Sequence, residues 1–115
     1  MEVLERTKTA LAVFAPIPVV MDRYLSGAVL PDTYIVYDLV VSNPILHLDD
    51  DETGRIDLVQ VTVFNRSGLS GLPDIDAAMT AVGFTKSAKR PLDVDAQNGH
   101  YGLAQDYYYY KETIT

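Results

Sequence analysis

No cysteine occurs among the 115 residues, and histidine occurs only twice. The first absence excludes disulfides, thiolate metal sites, iron–sulfur clusters and cysteine nucleophiles, and it leaves the redox compartment open. The second excludes a multi-histidine metal centre within one subunit. Positive charge is also scarce: nine Lys and Arg face sixteen Asp and Glu, for a formal net charge of −7, with no basic run. Nucleic-acid binding draws most of its sequence-independent affinity from Lys and Arg on phosphates, so no direct nucleic-acid partner is expected. Long apolar runs are missing as well. Leu11–Met21 is eleven residues broken by Pro16 and Pro18, against the ~20 that cross a bilayer, so no membrane helix is expected. Ala10–Met21 has the apolar character of a secretory leader, with Ser26-Gly27-Ala28 as a cleavage site. Glu2 and Glu5 spoil the positive start such a leader needs, and none is expected.

What is present fits one domain, residues 1–115. A chain of this size buries about 65% of the surface its unfolded form exposes, which is enough to fold without crosslinks. Glu2 to Phe14 reads as a helix, because Val3, Leu4, Leu11 and Phe14 fall on one side at helical spacing, and Ala15 before Pro16 marks its stop. Residues 16–32 carry Pro16, Pro18, Gly27 and Pro31 and read as a covering segment with at most a short strand at Ile17–Met21. Thr33–Ser42 and Arg55–Asn65 are rich in β-branched and aromatic residues and read as strands apolar on both faces, joined by a polar hairpin turn at Asp49–Gly54. After a loop at Arg66–Gly71, Ile75, Ala78, Met79 and Val82 recur at helical spacing. Pro73 and Asp74 suit its first turn and Gly83 a left-handed cap. Phe84–Pro91 and Tyr101–Glu112 read as a closing antiparallel pair, with Asn98-Gly99 as the reversal signal between them. The expected fold is α+β: a single mostly antiparallel sheet with an N-terminal helix and a second short helix packed on one face.

Few residues suggest chemistry. Aligned to a calcium-binding EF-hand loop, residues 49–60 offer oxygen ligands at Asp49, Asp51 and Thr53, with Asp57 further on and Gly54 at the sixth position. The twelfth position is Gln60, which lacks the bidentate carboxylate, and the flanks are strand-like. A solvated acidic hairpin tip is therefore the expected reading, with weak divalent-cation binding as the alternative and no metal or cofactor assigned. His47 and His100 stand alone beside turns, without a serine elbow or a second histidine, and no catalytic residue is expected. Ser67-Gly68-Leu69-Ser70-Gly71 lacks the lysine of a phosphate loop and reads as linker. Tyr107-Tyr108-Tyr109-Tyr110 places large amphipathic rings on both faces of the last strand. One face can pack on the helices and the other meets water or a partner.

The segment order resembles a known family. Tyr34-Ile35-Val36-Tyr37-Asp38-Leu39-Val40-Val41-Ser42-Asn43-Pro44, then Val59-Gln60-Val61-Thr62-Val63-Phe64, then a helix ending Ala81-Val82-Gly83-Phe84, then the tyrosine-rich strand, is similar to the tail-completion proteins of long-tailed bacteriophages. These proteins are also called tail terminators or tail-to-head joining proteins, and the similarity spans about residues 1–112. The resemblance implies a non-enzymatic structural protein that forms a ring, typically a hexamer, capping the tail tube and joining it to the head. It implies tail-tube and head-connector partners, a place at the head-proximal end of the virion tail, and host cytoplasm before assembly. Other small neck and connector proteins share this size and polarity. Independently, two modest helices can cover one face of such a sheet but not both, so the bare face predicts self-association. The expected interface residues are Tyr108, Tyr110, Phe64 and the acidic tip Asp49, Asp50, Asp51 and Glu52.

Overall fold

A computed structural model describes residues 3–21, 32–46, 52–68, 72–92 and 99–112, with the backbone alone described at 43–46, 52–53 and 111–112. Helix α1 is Val3–Leu11, continued by a 3₁₀ turn at Ala12–Phe14, and strand β1 is Val19–Met21. Strands β2 (Thr33–Leu46) and β3 (Glu52–Asn65) form a long hairpin. Helix α2 is Ile75–Ala81, and β4 (Thr85–Leu92) and β5 (Tyr101–Glu112) close the chain. The five strands make one sheet in the order β1-β2-β3-β5-β4. Among the described residues β1 alone runs parallel to its neighbour, and the other pairings are antiparallel. The class is α+β, with both helices on one face of the sheet.

Alternation along the strands decides what the helices cover. Ile35 and Tyr37 of β2, Val59, Val61 and Val63 of β3 and Tyr107 of β5 share one face by register, and all are buried. They pack with Ala10 and Leu11 of α1, Ile75 and Met79 of α2, and Phe84. Thr7 is also fully buried in α1, because its hydroxyl donates to the Val3 carbonyl (2.9 Å) and so needs no water. Arg6 ties three elements together: its guanidinium lies 4.5 Å over the Tyr109 ring, and Nη1 donates to the Val82 carbonyl at 3.1 Å.

Helix α2 is short and sharply bounded. The Asp74 side chain accepts from the Ala77 amide (3.1 Å) at its start. At its end Gly83 takes φ +100°, the Gly83 amide donates to Thr80 and the Phe84 amide to Met79. That is a Schellman cap, and it seats Phe84 and Met79 together in the core.

The sheet outruns its helices. The molecule extends 52 × 26 × 25 Å. In register, β1 reaches only Tyr37 of β2, and β4 reaches only Tyr108 of β5. Beyond that level, among the described residues, the sheet is a three-stranded arm of β2, β3 and β5.

Two expectations need correction here. Glu52, Thr53 and Gly54 belong to β3 and not to the hairpin turn: Glu52 pairs with Leu46, and Gly54 with Ile45 and Glu112. The opposite face of the sheet is also not uniformly bare, since Tyr34, Val36, Thr62 and Ala104 on that face are buried. On that face the most exposed apolar side chains, Tyr108 and Tyr110, lie toward the arm.

Candidate interaction surface

Cross-strand register sorts the face away from the helices into rows. At the end nearest Asn65 lie Tyr34, Phe64, Gly102 and Leu92, followed by Val36, Thr62, Ala104 and Arg90. Tyr34 stacks on Phe64 at 4.8 Å and meets the buried His100 edge-on at 5.1 Å. Gly102 leaves room for this layer, because a Cβ there would stand 3.1 Å from both Leu92 Cδ1 and Phe64 Cε1. A polar row of Asp38, Gln60 and Asp106 comes next, with Gln60 Nε2 donating to Asp106 at 3.2 Å. Past it, apolar side chains return in the rows Val41–Leu58–Tyr108 and Ile56–Tyr110.

The packed rows and the outer rows differ in exposure. Tyr108 is 41% exposed, Tyr110 54% and Val40 54%, and Val41 and Leu39 are open as well. Val40 is the extra residue of a bulge between Leu39 and Val41, a device that re-aims side chains and sharpens local twist. On the face away from the helices Tyr108 therefore shares a row with Val41, with Val40 at the adjoining bulge and Tyr110 one row further out, while Leu39, paired with Val59, lies on the helix-side face. Phe64 lies apart from these outer rows, half-buried in the packed rows. Of the acidic tip, Asp49, Asp50 and Asp51 lie outside the described residues, as does His47, and Glu52 is described only as backbone in β3.

The helix side of the arm carries a polar cluster. Asp57 is buried, accepts from the Ser42 hydroxyl across the β2–β3 pair, and Arg55 Nη1 donates to the same Ser42 oxygen at 3.0 Å. Residues 52–60 are strand, so positions 49–60 do not form the continuous coordinating loop that the EF-hand alignment requires. Among the described residues no group of three or more His, Cys, Asp and Glu could hold a metal ion. Nor is any helix among them long and apolar enough to cross a membrane.

A second polar group, missed in the sequence, sits where α2 meets β4 and β5. Tyr107 is fully buried on β5; its hydroxyl donates to Asp76 Oδ1 at 2.6 Å and lies 3.1 Å from Gln105 Oε1. A phenol has one proton, and the shorter, ionised partner claims it. Lys89 Nζ reaches the other Asp76 oxygen at 2.8 Å. Burial pushes the Asp76 carboxyl up, but the bonds from Lys89 and Tyr107 and the charges of Lys89 and Lys86 outweigh it and hold the carboxyl below its usual value. Burial first, then the bond to Asp76 and its charge, push the Tyr107 phenol well above its own. An open cleft of about 240 Å³ beside this group is lined by Asp76, Lys86, Lys89, Gln105 and Asp106. Asp76 is held by Tyr107 and Lys89, and Asp106 by Gln60. The arrangement fastens the edge strand to the helix and presents no activated nucleophile or base.

Strand β4 is exposed along its whole length, and Lys86, Lys89, Arg90 and Pro91 lie on it. Charges and proline are the usual means of keeping an edge strand from pairing further. The described surface is thus that of a small α+β protein with a guarded sheet edge and an apolar, tyrosine-bearing arm. No family model matches the chain, and no curated protein matches it significantly.

Proposed function

We propose that this protein is a structural subunit that assembles with copies of itself into a ring, and that the ring terminates a phage tail tube and joins it to the head. One observation carries the self-association: on the face away from the helices Val41, Tyr108 and Tyr110, with Val40 at the adjoining bulge, lie exposed toward the arm end of the sheet. Two valines and two tyrosines at those exposures leave on the order of 300 Å² of side-chain surface open, within the range in which the largest patch of a monomer is often functional. Tyrosine is enriched at such contacts, because a rigid ring with a polar tip tolerates both water and a partner. The phage role rests on the order of sequence segments set out above, and the part played is one of assembly, with no chemical step.

A purified sample examined by negative-stain microscopy tests the ring, and addition to tails lacking their terminal protein tests the role. Rings that convert such tails into head-joinable particles are the expected result. A protein that leaves the tails unjoined at every concentration contradicts the role.

A further inference from the structure

The edges of the sheet are not equally protected. Strand β4 is interrupted by a bulge between Lys86 and Lys89 and carries Lys86, Lys89, Arg90 and Pro91. The outer part of β2 has bulges between Leu39 and Val41 and between Ile45 and Leu46, and Pro44 between them has no N–H to offer. Such features keep an edge from pairing further. Strand β5 differs. Its residues 109–112 pair with residues 57–54 of β3 in unbroken register, while β4 begins at Thr85 opposite Tyr108 and leaves their other side without a strand among the described residues. No turn, loop or cap bond between described residues ends on them either. Successive residues of a strand aim their backbone groups at alternate sides, so two of these four aim N–H and C=O out of the sheet.

We infer that this edge pairs with the same edge of a second copy, the two β5 strands running antiparallel about a two-fold axis. An isologous contact needs one surface only, and two identical free edges satisfy each other's backbone groups. The outer segments of β2 and β4 are the interrupted ones, so β5 is the regular strand that a copy has to give. An added strand meets aromatic rings on both faces, with half-buried Tyr109 on the helix side and exposed Tyr110 on the other. Because β4 reaches no further than Tyr108, neither copy's β4 occupies the shared residues. The contact lies at the edge of the sheet and not on the apolar face invoked for the ring, so it stands apart from that reading. Its two-fold symmetry gives any assembly of equivalent copies that includes it an even number of subunits.

The chain has no cysteine, so a single introduced one takes a spin label cleanly. Thr85 and Tyr101 are both exposed and lie outside the shared residues. At ~3.4 Å per residue on either side of the axis, labels on Thr85→Cys are expected within roughly 20 Å of each other and labels on Tyr101→Cys about 60 Å apart. Amide exchange on the unmodified chain serves if a labelled variant does not fold. At a concentration where about nine-tenths of the chain is paired, the outward amides of residues 109–112 are expected to exchange about tenfold more slowly than in dilute monomer. If the protein associates while these amides exchange as in the monomer and the labels at position 85 stay far apart, the edge assignment is overturned and the apolar face remains the contact. A chain that is monomeric at every soluble concentration overturns both.

Discussion

Replacing Tyr107 with Phe removes one oxygen from the most constrained polar group in the molecule and leaves the buried ring in place. The lost contact is the 2.6 Å bond to Asp76, an ionised acceptor. Hydrogen bonds to charged groups contribute about 1.5–3 kcal/mol. The Asp76 side chain keeps 21% of its exposure and its Lys89 partner, so water replaces part of the loss. The expected cost at neutral pH is about 1–2 kcal/mol, or a fall in Tm of roughly 4–10 °C for a chain of this size. The pH dependence follows from the direction of the Asp76 shift. Its carboxyl titrates lower in the folded state than its ordinary 3.8, so its stabilisation is complete above that value and is lost as acid protonates the folded carboxylate. Tyr107→Phe removes one cause of that depression. The stability gap between wild type and variant should therefore be full at pH 7 and shrink below about pH 4. Urea unfolding followed by circular dichroism at pH 7 and pH 3 measures it. An equal gap at both values, or no gap at pH 7, refutes the charge-assisted bond.

Other substitutions test packing and backbone. Met79→Ala empties a fully buried site on the inner side of α2 and should cost about 2–5 kcal/mol, seen as an earlier urea midpoint with an unchanged slope. Gly83→Ala forces a side chain into φ +100° and sets its Cβ 3.3 Å from Tyr109 Cε2. A loss of about 1–2 kcal/mol is expected, whereas an unchanged Tm would mean that the Schellman cap contributes nothing.

Several elements were legible because their signals are local. The spacing of Val3, Leu4, Leu11 and Phe14, the Asp74 cap, Gly83 after Val82 and the β-branched strands each act over a few residues, and the elements formed where those signals lie. What was not legible depends on distant partners. Glu52–Gly54 look like a turn by composition, but pairing with Ile45, Leu46 and Glu112 holds them in β3. Asp57 looks like a free ligand, yet register places it against Ser42 and inside the structure. Alternation puts Phe64 and Tyr108 on the same face of the sheet, and nothing local separates them. Their different exposure arises because the neighbouring elements end partway along the sheet. The Asp76–Tyr107–Lys89 group joins residues up to 31 positions apart on three elements, so no spacing in the sequence could announce it.

The central claim is that the arm's uncovered side chains are sheltered by further copies of the chain. Sedimentation equilibrium on wild type and on Tyr108→Ser with Tyr110→Ser, across the soluble concentration range, tests it most directly. A discrete multi-subunit species for wild type, reduced to folded monomer in the double variant, is the predicted result. A wild-type chain that stays monomeric to its solubility limit would contradict it.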